Sequence, residues 1–195
     1  GEYNAGLYAA GKGVAGDGAI QMIHVRDIDK DGNLDLVISN NRSGDTTTPR
    51  PAYYAYHFDN LSFVDSLYSW NGSGYLIVDY DNDGNLDIVL SAYDDASGAT
   101  NLYSRVHHGP TWAPKDTMFT RQATAVSAAD LDKDGDLDLV FSNLVGGYAY
   151  IYHQGSSTRD SLACTKNYGN AIADLNGDGD LDIVLAGTQG RVYYG

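Results

Sequence analysis

The sequence predicts an all-β fold assembled from four copies of one four-stranded unit, and three observations carry that expectation. The acidic segments Asp27-Ile-Asp-Lys-Asp-Gly-Asn-Leu-Asp35, Asp79-Tyr-Asp-Asn-Asp-Gly-Asn-Leu-Asp87, Asp130-Leu-Asp-Lys-Asp-Gly-Asp-Leu-Asp138 and Asp174-Leu-Asn-Gly-Asp-Gly-Asp-Leu-Asp182 share one nine-residue pattern. Their starts lie 52, 51 and 44 residues apart, a period suited to repeat architectures. Each is followed by an apolar run: Leu36–Ile38, Ile88–Leu90, Leu139–Phe141 and Ile183–Leu185. Composition agrees, because Glu2 is the sole glutamate among 26 acidic residues, beside 23 glycines and 16 tyrosines. Aspartate and glycine favour tight turns and tyrosine favours strands, whereas helices would have drawn on glutamate.

The elements follow in order from apolar stretches bounded by turn residues. The first unit supplies strands over Ala19–Arg26, Leu34–Asn40, Ala52–Phe58 and Ser62–Trp70. The second gives Tyr75–Val78, Leu86–Ala92, Asn101–Val106 and Met118–Gln122. The third gives Ala125–Ala129, Leu137–Ser142, Tyr148–His153 and Ser161–Thr165. The fourth gives Ala171–Ala173, Leu181–Ala186 and Arg191–Tyr194, which leaves it one strand short. Gly6-Leu-Tyr-Ala-Ala-Gly-Lys-Gly13 matches Ser66-Leu-Tyr-Ser-Trp-Asn-Gly-Ser73 in its Leu-Tyr pair and glycine-rich exit. The N-terminal segment is therefore expected to supply the missing outer strand and so cover a sheet edge.

The acidic loops have the chemistry of a cation cage. Side chains at loop positions 1, 3 and 5 converge when the chain curls: Asp27, Asp29 and Asp31; Asp79, Asp81 and Asp83; Asp130, Asp132 and Asp134; Asp174, Asn176 and Asp178. Glycine at position 6 permits the reversal. Position 7 (Asn33, Asn85, Asp136 and Asp180) offers its main-chain carbonyl, and the carboxylates of Asp35, Asp87, Asp138 and Asp182 close the cage. Hard oxygen ligands in that number suit calcium, about four ions in all, better than magnesium with its stricter octahedron. Softer metals call for His or Cys, which the loops themselves lack. Seventeen of the 26 acids lie in these loops, so without cations they would repel one another. Four calcium ions would bring the formal charge from −14 to about −6. An EF-hand is excluded: it needs glutamate at position 12 and flanking helices, whereas position 12 is Ile38, Leu90, Phe141 and Leu185.

The motif D-x-[DN]-x-D-G-x-x-D-[LI], repeated along essentially the whole chain, resembles the FG-GAP/VCBS calcium-loop repeats of integrin α-subunit propellers and many secreted proteins. The resemblance implies a β-propeller in which each calcium loop joins the first and second strands of a blade, with mostly structural ions and partners bound on the faces or between blades. On that reading residues 1–195 are one domain, with blades at about 18–70, 71–122, 123–166 and 167–195, the last completed by 5–13. Propellers of this family usually carry seven blades. Four copies leave open a closed four-bladed ring, a fragment, or a protomer that donates its N-terminal strand to a neighbour and so polymerises.

The remaining features add little chemistry. A net charge of −14 disfavours nucleic acid and anionic membrane surfaces as partners. No apolar run approaches the ~20 residues that span a bilayer. Cys164 is alone and reads as a small buried hydrophobe rather than a nucleophile. Asn41, Asn60 and Asn71 head N-x-Ser sequons and are candidate N-glycosylation sites; with Gly1 as first residue, as in a processed chain, they point to an extracellular, secreted protein. Gly11-Lys-Gly-Val-Ala-Gly16 matches a dinucleotide fingerprint only formally, for no helix follows it. His107 and His108 are adjacent on a strand and point to opposite faces, while His24, His57 and His153 are scattered. No catalytic set emerges. The tyrosines of the third strands (Tyr53, Tyr54 and Tyr56; Tyr148, Tyr150 and Tyr152; Tyr193 and Tyr194) read as packing between sheets, or as lining for a sugar-binding groove. Trp70 and Trp112 are the candidate glycan contacts, Trp112 in a Gly-Pro-Thr-Trp-Ala-Pro loop expected to be exposed. The insertion Asn41–Pro51 reads as a surface connector, with a glycosylated or partner-contacting loop as the alternative.

The functional expectation is a non-enzymatic extracellular calcium-binding module for adhesion or structural assembly, its partner a protein or a glycan. A glycan-binding, lectin-like propeller and a strand-donating protomer of an extracellular filament are the alternatives.

Overall fold

The computed structural model describes residues 19–41, 53–57, 63–67, 72–93 and 99–195, and every regular element among them is a strand. The first sheet holds β1 (Ala19–Arg26), β2 (Asp35–Asn41), β3 (Tyr53–His57) and β4 (Phe63–Leu67). The second holds β5 (Gly72–Val78), β6 (Asp87–Ala92), β7 (Leu102–His108) and β8 (Ala113–Thr120). The third holds β9 (Ala123–Ala129), β10 (Asp138–Asn143), β11 (Tyr148–Tyr152) and β12 (Arg159–Ala163). The fourth holds β13 (Gly169–Ala173), β14 (Asp182–Ala186) and β15 (Arg191–Tyr193). Each sheet is an antiparallel meander in chain order. The first strands of successive sheets lie together, β5 against β9 and β9 against β13, while β5 also lies against both β1 and β2.

The sheets stack face to face, and the second strand of each unit explains why. Along β6, Ile88 and Leu90 point toward the first sheet, packing with Ile28, Val37, Tyr75, Ile77 and Trp112. Val89, between them, points the other way, into a cluster with Val106, Val126, Leu139 and Phe141 of the second and third sheets. In β10, Leu139 and Phe141 face the second sheet while Val140 faces the fourth, where it meets Ile183 and Leu185. Side chains alternate between the faces of a strand, so a strand covered on both sides must be apolar at every position. That is the origin of the apolar runs after each acidic loop. Every residue of β6 and β10 is buried.

Tyrosine hydroxyls cross from sheet to sheet. Tyr152 Oη donates to the Phe119 carbonyl at 2.5 Å, Tyr193 Oη to that of Ala163 at 2.7 Å, and Tyr75 Oη to that of Val37 at 2.7 Å. Tyr152 and Tyr193 hold the same register, opposite Leu139 and Ile183, the residues that follow position 9. Each anchors its sheet to the outer strand of the preceding one. Tyr150 is buried, and the Arg159 guanidinium lies 4.2 Å from its ring centroid and 5.1 Å from that of Phe119. The packing role expected of the third-strand tyrosines is what Tyr150, Tyr152 and Tyr193 show; Tyr148, at the strand's start, is exposed.

Near the first strands, backbones rather than side chains meet. A Cβ on Gly74 would lie 2.8 Å from the Thr124 carbonyl oxygen and 3.0 Å from Ala125 Cα. Ser73 Oγ donates to the Ala123 carbonyl across the same gap at 2.8 Å. Gly74→Ala is therefore expected to cost about 1–3 kcal/mol, as overpacking does, and to lower the denaturant midpoint without changing the slope. An unchanged midpoint would show that β5 and β9 separate freely.

Two expectations change. β8 begins at Ala113, earlier than the expected Met118, because 109–112 is a tight hairpin turn and not an extended loop. Trp112 consequently folds inward: it is 7% exposed and donates Nε1–H to the Leu86 carbonyl at 3.3 Å. Its apolar ring gains more from the first interface than from solvent. Cys164 is buried, as expected. Trp70, Asn60, Asn71, segment 5–13 and residues 42–51 of the insertion lie outside the described residues, and Asn41 ends β2.

Candidate metal centres

The four acidic loops each join the first and second strands of a sheet, and they repeat one hydrogen-bond frame. The position-6 glycine N–H donates to Oδ2 of position 1 at 3.0–3.1 Å: Gly32 to Asp27, Gly84 to Asp79, Gly135 to Asp130 and Gly179 to Asp174. The N–H of position 2 donates to Oδ2 of position 9 at 2.7–2.9 Å: Ile28 to Asp35, Tyr80 to Asp87, Leu131 to Asp138 and Leu175 to Asp182. The N–H of position 7 donates to Oδ1 of position 5, from Asn33, Asn85, Asp136 and Asp180, at 2.7–2.9 Å. Two residues in each loop take positive φ. Gly32, Gly84, Gly135 and Gly179 lie at 89° to 96°; position 4 (Lys30, Asn82, Lys133 and Gly177) lies at 57° to 77°. The left-handed need at position 6 is met by glycine throughout; that at position 4 is met by glycine only in loop four.

This frame uses up one set of carboxylate oxygens and leaves another. Oδ1 of Asp27, Asp79 and Asp130 is buried without a hydrogen-bond partner. A buried anionic oxygen with no partner is costly, and a cation between the carboxylates removes that cost. The oxygens of Asp79, Asp81 and Asp83 lie within 4.8 Å of one another, as do those of Asp130, Asp132 and Asp134, and those of Asp27, Asp29 and Asp35. Loop four departs from the others: position 3 is Asn176, whose amide donates to Asp178 at 2.7 Å, and Asp174 Oδ1 accepts the Gly177 N–H at 2.7 Å. The position-7 side chains turn elsewhere. Asn33 and Asn85 donate to Asp31 and Asp83, Asp136 accepts from Asn82, and Asp180 accepts from Lys133. The last two contacts link position 4 of one loop to position 7 of the next, chaining loops two, three and four along one rim. The residues present fit a hard divalent cation.

Electrostatics follow the frame. Hydrogen bonds from the Asn85 backbone and side chain hold Asp83 below the ordinary carboxylate range. Asp178 is lowered likewise by the Asp180 N–H and the Asn176 amide. Asp87 moves the other way: burial raises it, against the lowering pull of the Gly109 and Tyr80 N–H groups. A completely buried carboxylate with two N–H partners needs a positive neighbour to stay ionised comfortably.

Two histidines approach these loops: His108, which points away from its neighbour His107 as expected, and His153, which was expected to stand apart from any cluster. His108 Nδ1 lies 2.9 Å from Asp81 Oδ2 and 3.6 Å from Asp87 Oδ1, and its Nε2 lies 2.8 Å from Asp116 Oδ2. His153 Nδ1 lies 3.1 Å from Asp138 Oδ1 and 3.6 Å from Asp132 Oδ2, with Nε2 at 3.2 Å from Asp160 Oδ2. Burial pulls His153 down, but its bond to Asp160 and the charge of Asp138 outweigh that and hold it above the ordinary imidazole value. His107 does point away from His108; its Nδ1 contacts the Trp112 carbonyl at 2.8 Å. Sequence spacing hid the pairing, because His57, His108 and His153 fall at unequal distances behind Asp35, Asp87 and Asp138. Strand register equalises them: Asp35 pairs with His57, Ile88 with His107 and Leu139 with Tyr152.

Residues 79–141, which span loops two and three, match the FG-GAP-like repeat. Loops one and four, outside the matched segment, share the FG-GAP-like motif and the same hydrogen-bond frame. No curated protein sequence matches the chain. Among solved structures, BBS1N in complex with ARL6DN is similar at 14% identity with a TM-score of 0.59, covering 93% of this chain and 55% of that one. The V. cholerae biofilm matrix protein Bap1 is similar at 15% identity and a TM-score of 0.54, covering 90% of this chain and 30% of Bap1. The exotype rhamnogalacturonan lyase YesX is similar at 18% identity and a TM-score of 0.50, covering 88% and 39%. The chain thus spans about half the length of BBS1N and less of the other two. At these identities the likeness is one of fold: FG-GAP-like sheets stacked as in a β-propeller.

Proposed function

We propose that the protein is an extracellular calcium-binding β-propeller module of adhesion or structural assembly, without enzymatic activity. The observation that carries the calcium reading is the buried, unpartnered Oδ1 of Asp27, Asp79 and Asp130, repeated at position 1 of three loops with one hydrogen-bond frame. The ions stiffen the rim and leave the faces and interblade grooves for partners. Exposed Tyr103, Tyr148 and Tyr168 supply the amphipathic surface that protein or glycan contacts favour. Fold neighbours that form a complex with a partner (BBS1N with ARL6DN) or build a matrix (Bap1) support an interaction role. The conspicuous carboxylates are committed to the loops, which leaves none of them for acid–base work. The burial of Trp112 removes it from the lectin-like alternative. A second reading, strand donation, is favoured by one observation: among the described residues the fourth sheet has three strands where each other sheet has four. On that reading another copy supplies a fourth strand to this sheet and extends a filament.

Calorimetric titration of calcium into the chelator-stripped chain is expected to give about four ions per chain. Binding of none, or of a single ion, sinks the reading. Light scattering in calcium buffer separates the closed monomer from a growing filament.

A further inference from the structure

We propose that His108 and His153 are cation ligands, so that loops two and three are mixed nitrogen–oxygen sites that accept divalent metals of zinc type as well as calcium. This rests on the loops holding cations at all, and it adds the metal class that two of them take.

The case starts with His108, whose side chain is only 9% exposed. Its Nδ1 is buried and out of hydrogen-bond alignment, although it lies 2.9 Å from Asp81 Oδ2 and 3.6 Å from Asp87 Oδ1. Its other nitrogen is already engaged with Asp116. If that nitrogen carries the proton, Nδ1 presents a lone pair to two carboxylates, an arrangement that asks for a positive charge between them. Metal-binding histidines are built this way, with the far N–H given to a carboxylate that fixes the ring. Ligand atoms around a cation with bonds of about 2.0–2.2 Å stand roughly 3.0–3.4 Å apart, which the 2.9 and 3.6 Å separations bracket.

The same arrangement recurs one sheet on. His153 Nδ1, likewise buried without a hydrogen bond, faces Asp138 and Asp132, and its Nε2 faces Asp160. Asp116 and Asp160 hold equivalent registers, opposite Val106 and Ile151. The first sheet repeats the sequence pattern, with Asp35 paired to His57 and Ala55 to Asp65. The fourth sheet does not: Tyr193 pairs with Ile183, so Tyr194, 67% exposed, stands where the others carry histidine. Loop four is thus an all-oxygen control within the same molecule. Imidazole suits zinc, nickel and copper, whereas carboxylate, carbonyl and water suit calcium and manganese.

Manganese(II) loaded into the full chain, read by electron spin-echo modulation, tests this directly. Nitrogen-14 modulation is expected in the unaltered protein and should fall by at least half in the H108Q/H153Q variant. Zinc affinity of that variant should drop at least tenfold, with calcium affinity changed less. Bound manganese without nitrogen modulation, or modulation unchanged in the variant, overturns the proposal and leaves the loop reading standing. Failure of the chain to bind either calcium or manganese overturns both. Should the variant not fold, the spectrum of the unaltered protein decides alone.

Discussion

Addition of EDTA to the calcium-loaded protein is expected to lower its melting temperature by at least about 10 °C. A ligand present at 100 times its dissociation constant stabilises the folded state by ~2.7 kcal/mol per site, so four independent sites could supply about 11 kcal/mol. For a chain of this size each kcal/mol moves the midpoint by roughly 2–4 °C. Coupling between loops reduces the sum, since Asn82 reaches Asp136 and Lys133 reaches Asp180 across adjacent loops. Even half of it remains large beside the 5–15 kcal/mol that usually holds a domain together. Chelation also restores repulsion among seventeen loop carboxylates, so the two effects act in one direction. A melting midpoint that does not move on chelation would mean that the loops hold themselves together through their own N–H groups, and the calcium assignment would fall.

How much of this was legible beforehand depends on range. The acidic loops and the strands after them are local patterns, and every second strand was anticipated to within a residue or so because the apolar run is the strand. The positive φ at position 4 was half visible, through Asn82 and Gly177, and masked by Lys30 and Lys133. Trp112 misled because a proline-bracketed tryptophan looks like an exposed loop, whereas the hairpin at 109–112 turns it into the first interface. The histidines were out of reach for a different reason. Their partnership with the loops depends on pairing β6 with β7 and β10 with β11, across connections of unequal length. Spacing along the chain carries none of that.

Asp87→Ala is expected to destabilise the protein by about 3–5 kcal/mol in calcium, the range for breaking a buried charged network. Asp87 is completely buried. Its Oδ2 accepts the Tyr80 N–H at 2.7 Å, and its Oδ1 accepts the Gly109 N–H at 2.9 Å, tying the start of loop two to the end of β7. Alanine strands both donors and leaves His108 with one carboxylate fewer. That loss alone would not distinguish a ligand from a structural acceptor, so Asp87→Asn is the sharper variant. The amide keeps one acceptor oxygen but lacks the charge. If Asp87 faces a cation, the asparagine variant loses more stability in calcium than in EDTA, where the buried carboxylate is itself a liability that burial already pushes toward protonation. Denaturant unfolding in the two buffers measures the difference. Equal losses in both would reduce position 9 to a structural anchor and leave the cation to positions 1, 3 and 5 alone.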